Sequence, residues 1–453
     1  VAGKSHLAGR NQVFFGYRWP SENLVSVHEK RLLHALHALQ ALQSLPTLPR
    51  GLWFTSGVVS VVLLARMMRA APAGWREAAL LGLLLLSVGV TTVIATLVLL
   101  RLSVYFRDSF RASYYGAPDL VELVRQLDYR LEEEFKKQGI ELRDERRVKL
   151  SFLAHSLGNS LVTSALRVLA DAFEPEARGN NQGFDQAKKP SRRIGNTLML
   201  DRLVMVAPDI PVESVVPRRS NGLRSTLRRM RESYVFSNEG DLALRLASTA
   251  ANFFSFSAQS RFSGYRLGNL TLSHFEGRKD RRGRPLKYGI AITDKGIPDQ
   301  PIRHLEVRAS SVEHRLLAED PFQPWVAERE SHVTNLPSYF DCTDALDGKR
   351  GLVSQARRRP ALNLIDYLPL LGAYILFNLN HRWGVDTHGG YFRGETGRLL
   401  IYTLAFAGYA TLIEQLQHEG TDLDRFCRER QIQVALSMRE QGISPFLTST
   451  PRS

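Results

Sequence analysis

Phe152-Leu-Ala-His-Ser156-Leu-Gly158-Asn159 is the stretch whose reading decides the fold. Just before it, Val148, Leu150 and Phe152 alternate with other residues, which predicts a strand over 148–153. Just after it, 160–173 carries apolar residues nearly all round, the pattern of a buried helix. A serine on the tight turn between such a strand and such a helix has strained dihedrals and needs small neighbours. Ala154 and Gly158 meet that need, although Ala154 stands where the commoner Gly-x-Ser-x-Gly pattern has its first glycine. The Ser156 hydroxyl then projects at the sheet edge as a candidate nucleophile. The backbone N–H of Leu157 is placed to donate to an oxyanion. The plain structural alternative is a serine that caps a helix following a strand.

Working outward, 203–207 reads as a second buried strand, ended by Pro208-Asp209, and 233–237 as a third. A fourth is expected at 337–342. Helices are expected at 118–139, 242–254 and 398–409. Strands with continuous apolar runs alternating with helices imply an α/β fold with a parallel sheet covered on both faces. Sites in such sheets lie at the carboxyl ends of the strands. Nearer the start, 12–18 is an aromatic, apolar run that reads as a buried strand. Leu at helical spacing over 25–45 reads as a helix.

A serine hydroxyl is a weak nucleophile at neutral pH and needs a base, itself held by an orienting acid. On strand–turn–helix elbows the chain order is Ser, acid, His. Asp241, in Asn238-Glu-Gly-Asp241 after the third strand, is the acid, with a helix cap as its alternative role; Asp209 is the reserve. His388, in Asp386-Thr-His-Gly-Gly390, is the base, since two following glycines permit a tight turn. His332 lies before the fourth strand, at the wrong end of the sheet, and is the alternative. His155 reads as a packing or hydrogen-bonding residue whose side chain points away from that of Ser156.

The chain has 453 residues and only two cysteines, Cys342 and Cys427, which excludes a disulfide-stapled scaffold and shows no zinc spacing. No cofactor, nucleotide or metal motif is visible. Sixty Lys+Arg against 45 Asp+Glu give a net charge of +15, a statement about partners rather than fold. Nucleic acid and anionic membrane are the two readings. Two uncharged stretches, 51–65 and 78–100, favour the membrane; the second has 23 residues, against the roughly 20 that span a bilayer. With Pro72 and Gly74 between them they read as a transmembrane helical hairpin, the alternative being a pair of buried core helices. The basic soluble part then faces anionic lipid, on the cytoplasmic side of a bacterial inner membrane. Arginine-rich 218–231 and basic 278–287 lack interleaved aromatics and read as solvated loops, so no nucleic acid is expected.

Several segments together resemble a family of mostly uncharacterised bacterial α/β-hydrolase-fold proteins. They are Tyr17-Arg-Trp-Pro-Ser21, Tyr105-Phe-Arg-Asp-Ser109, Ala154-His-Ser-Leu-Gly-Asn159, Val206-Ala-Pro-Asp209, Tyr234 to Leu244 and His388-Gly-Gly-Tyr-Phe392. The resemblance covers about residues 11 to 415 and leaves the hairpin as an insertion. It implies an α/β-hydrolase fold, a mostly parallel sheet flanked by helices, with Ser156 as nucleophile, Asp241 as acid and His388 as base. Such proteins have strands ahead of the Tyr17 segment, one ending in His-Gly whose loop gives a second oxyanion donor. Here about a dozen residues precede Val13 and the chain opens with Val1, so those N-terminal strands are expected to be missing.

The expected organisation is an N-terminal part of the hydrolase domain over 1–50, the hairpin over 51–101 and the main domain over 102–415. A C-terminal helix and tail follow over 416–453. The apolar segment 361–379 reads either as a membrane-dipping lid or as a core helix. The functional expectation is a membrane-anchored serine hydrolase, an esterase or lipase-like enzyme acting on the ester of a lipid or amphiphile. Its alternative is a non-catalytic hydrolase-fold scaffold that binds protein or lipid.

Overall fold

The computed structural model describes residues 12–17, 104–142, 146–173, 192–211, 214, 221–245, 266–274, 290–293, 308–309, 312–313, 336–343, 345–347, 350–351 and 385–437, with single positions between 65 and 92 and at 372. The chain forms two compact units, 18–111 and 1–17 with 112–453.

The larger unit is built on one sheet. Its strands are β1 (Val148–His155), β2 (Arg193–Ile194), β3 (Leu198–Val206), β4 (Glu232–Ser237), β5 (Ser338–Asp341) and β6 (Gln433–Ala435). The order is β1-β3-β4-β5-β6, with β2 against the start of β3. β1, β3, β4 and β5 run parallel. β6 and β2 are antiparallel to their neighbours. The expected parallel strands are therefore present, at 148–155, 198–206, 232–237 and 338–341. β3 is buried along its whole length, as a central strand covered on both faces must be.

Helices α1 (Ala117–Lys137), α2 (Leu157–Phe173), α3 (Asn221–Arg229), α4 (Glu395–Phe406), α5 (Tyr409–His418) and α6 (Leu423–Glu429) accompany the sheet. α1 has Pro118 at its second position, carries Asp119 in its first turn and Lys136 and Lys137 in its last, and stops before Gly139 at φ +67. Its buried Asp128 accepts hydrogen bonds from Asn196 N, Thr197 N and Thr197 Oγ1 in the turn between β2 and β3. The core joins Val204, Val206, Tyr234, Phe236 and Phe340 of the sheet to Leu400, Leu404 and Leu412 of α4 and α5.

Three readings are corrected. Residues 12–17 form no strand, and Val13, Phe14 and Phe15 are 65–76% exposed. A buried strand needs a hydrogen-bonding neighbour, and no described residue supplies one there. The arginine-rich 218–231 holds a helix, α3, rather than a solvated loop. Leu223 and Leu227, four apart on one face, are buried, and so is Arg229. The helix expected at 398–409 lies at Glu395–Phe406 instead. Gly408, at φ +91, ends α4 and lets α5 begin.

In the smaller unit, the described positions Leu81, Leu85, Val88 and Thr92 are helical, and Thr92 Oγ1 donates to Val88 O at 2.8 Å. Among the described residues no helix is long and apolar enough to cross a membrane. Most of 51–100 lies outside the described residues, as do 25–45, nearly all of 361–379, and 278–287.

Candidate active site

Ser156 follows β1 directly and precedes α2, with φ at +54. That backbone region is uncommon for any residue with a side chain. Four hydrogen bonds hold it there. Ser156 N donates to Val206 O at 3.0 Å, and Ser156 O accepts from Asn159 N, Asn159 Nδ2 and Asp209 N at 3.0–3.2 Å. Ala154 and Gly158 are buried, so strand and helix approach closely. Asn159 Nδ2 also donates to Val206 O at 3.0 Å, tying the start of α2 to the end of β3. Leu157 opens α2, so its N–H has no acceptor within the helix.

Asp241 lies on the turn after β4 and is fully buried. Its two oxygens do different work. Oδ1 accepts from Leu244 N at 3.1 Å and caps the turn of helix over 242–245. Oδ2 lies 2.7 Å from His388 Nδ1. One carboxylate thus makes both the helix cap and the contact with the histidine. The His388 side chain is 22% exposed, so the imidazole reaches outward from a buried acid. Burial acts to lower the His388 pKa, but the charge of Asp241, its hydrogen bond, and the charges of Asp386 and Asp209 outweigh that and raise it.

The loop that presents His388 is shaped by groups the sequence reading passed over. Asp386 Oδ1 accepts from His388 N and Gly389 N at 3.2 and 2.7 Å, an Asx turn that aims the ring. A Cβ on Gly389 would come 2.8 Å from Asp386 Oδ2, so the glycine allows this closure. Asn238 Nδ2 donates to Thr387 O at 3.0 Å and Asn238 Oδ1 accepts from Gly240 N, fastening the histidine loop to the acid loop. Asn269 Nδ2 donates to Asn238 O and Asp241 O from beneath. Asn238 and Asn269 gave no signal in sequence, because buried amides that bridge loops have no fixed spacing. Asp386 did: an Asp two residues before a His-Gly-Gly turn is an Asx-turn pattern.

The remaining expected residues fall elsewhere. Asp209, the reserve acid, has Arg266 Nε 2.8 Å from its Oδ1, both side chains being buried. His332 lies outside the described residues. His155 packs its ring on His388 and Phe392, with its Nε2 3.0 Å from His388 O. Among the described residues no cluster of His, Cys, Asp or Glu could hold a metal ion.

Residues 132–255 match a family model described as alpha/beta hydrolase of unknown function (DUF900). The matched region runs from α1 past Asp241 and includes Ser156 and Asp209, but ends well before His388. Together with the parallel sheet and its flanking helices, it makes the fold of the alpha/beta-hydrolase kind and points to hydrolase chemistry. No curated protein and no solved structure matches the chain.

Proposed function

We propose that the protein is a membrane-anchored serine hydrolase that cleaves an ester of a lipid or amphiphile. The observation that carries the catalytic half is the 2.7 Å contact between buried Asp241 and His388, with a serine held at φ +54 next in the chain to His155, whose ring packs on His388. Asp241 Oδ2 accepts a hydrogen bond from Nδ1–H, which leaves Nε2 of His388 as the basic nitrogen. As Ser156 Oγ attacks the ester carbonyl, Nε2 takes the hydroxyl proton. The Leu157 N–H donates to the oxyanion that develops. The proton on Nε2 then passes to the departing alcohol, leaving an acyl-serine. Water, deprotonated by the same nitrogen, releases the acid and restores Ser156.

The membrane half rests on sequence: the 23 uncharged residues of 78–100 and a charge of +15 that suits anionic lipid. A site beside a bilayer meets substrates that partition into it, hence the ester of a lipid or amphiphile. The basic surface is assigned to the cytoplasmic side. A fluorophosphonate probe tests the chemistry. It is expected to label the wild type, and S156A to abolish labelling; labelling unchanged in S156A sinks the assignment, and an unlabelled wild type favours the non-catalytic scaffold.

A further inference from the structure

We propose that His155 is a positioning residue for His388, gripping the peptide of the base and setting the plane of its ring. The inference rests on the serine-hydrolase reading and deepens it. His155 Nε2 lies 3.0 Å from the backbone carbonyl of His388. A carbonyl oxygen only accepts, so Nε2 carries a proton and donates it. Asp386 Oδ1 meanwhile accepts from the N–H of the same residue. His388 is therefore held on both sides of its Cα, by a donor on β1 and an acceptor in its own loop.

The ring contact adds the orientation. The two imidazole centroids are 4.6 Å apart with planes tilted 46°, and Phe392 meets the His155 ring edge-on at 5.4 Å. The His155 ring thus touches both Phe392 and the base. It also immediately precedes Ser156. One short piece of backbone carries both the nucleophile and the brace of the base, so the spacing between them does not depend on loops moving together.

A brace in this place must not become charged, because His388 turns cationic when it takes the serine proton. Burial, then the neighbouring His388, push the His155 pKa down to about 4, against smaller opposing effects of its hydrogen bond to His388 and the charges of Asp241 and Asp386. The base itself faces Asp241, Asp386 and Asp209. His155 stays neutral through the range in which His388 titrates.

The test is the rate of fluorophosphonate labelling as a function of pH, read with the downfield proton resonance of the His388–Asp241 hydrogen bond. H155F keeps a ring and removes the donor; H155Q puts an amide N–H where Nε2 stands. H155F is expected to lower the plateau rate about 10–100-fold, as a misaligned base does. Its low-pH limb should move to lower pH as the Asp241 contact loosens, and the downfield resonance should shift or broaden. H155Q is expected to recover most of the rate, the limb and the resonance. A wild-type rate, profile and resonance in H155F would overturn the proposal, and so would H155Q falling as far as H155F. If H155F does not fold, H155A takes its place: a slowed H155A beside a near wild-type H155Q supports the grip, and equal profiles reject it. Failure of the parent reading looks different: the wild type goes unlabelled, or S156A stays labelled, while the resonance still reports whether His155 governs the His388–Asp241 bond.

Discussion

At the scale of single residues, the site turns on how one buried carboxylate divides its oxygens. Asp241 spends Oδ1 on the backbone of Leu244 and Oδ2 on His388, so its position is fixed before any substrate arrives. The His388 pKa is raised above its ordinary 6.5. Only the neutral imidazole accepts a serine proton, so labelling should fall as pH drops through that raised value. The low-pH limb of the rate profile is therefore expected above 6.5, and a limb well below it would contradict the Asp241 contact. D241N keeps the shape, removes the charge and favours the wrong tautomer. It should lower the rate by roughly 10³–10⁴-fold and bring the limb down. Stopped-flow labelling across pH measures both. Ser156 and Asp241 were legible as candidates because each sits in a short local pattern after a strand, and His388 because two glycines follow it. Asn159, Asn238 and Asn269 bridge segments far apart in the chain, and no local pattern announces that.

At the scale of elements, the lower part of β3 shows what an apolar pattern hides. The sequence supports a strand from Leu203, because Asp201 and Arg202 interrupt the run. The strand begins at Leu198, with both charges buried inside the sheet. Arg202 lies 2.9 Å from Asp201 and 3.2 Å from Glu232, and Arg231 lies 3.0 Å from Asp201, so the network compensates the charge that burial would otherwise penalise. Gly408 belongs to this network. Its φ and ψ of +91° and 178° lie in a region that is essentially glycine-only, and an added Cβ would come 2.6 Å from Arg202 Nε and 2.7 Å from Glu232 Oε2. G408A should therefore destabilise the fold by about 2–4 kcal/mol. A lower urea midpoint, with wild-type labelling at low urea, is the expected result; an unchanged midpoint would mean that the Arg202 network tolerates the displacement. The sequence pattern carries the helix through Gly408 to Tyr409, because an isolated glycine in a helical pattern is tolerated. The lack of room for a Cβ beside buried Arg202 and half-buried Glu232 appears only in three dimensions.

At the scale of the whole molecule, the membrane reading rests on charge and on 78–100, where the described positions are helical and Leu86 is 65% exposed. When the protein is expressed in cells, it should stay in the membrane pellet through an alkaline carbonate wash and be released by detergent. Release by carbonate alone would reject the hairpin. What the sequence determined by itself was local: the strand–turn–helix around Ser156, the order of acid and histidine after it, and the alternation that makes a parallel sheet. These depend on spacing along the chain, where side-chain period and backbone sterics act over a few residues. The tertiary structure decided which carboxylate meets His388, since Asp209 and Asp241 both end strands and their environments separate them. Arg266 stands against Asp209, while Asp241 is turned toward the imidazole by the cap it makes. It also decided that an arginine-rich stretch is a helix with a buried face and that the aromatic run at 12–17 forms no strand. Burial and pairing are properties of what comes to lie opposite a segment, and that is settled only when distant parts of the chain pack together.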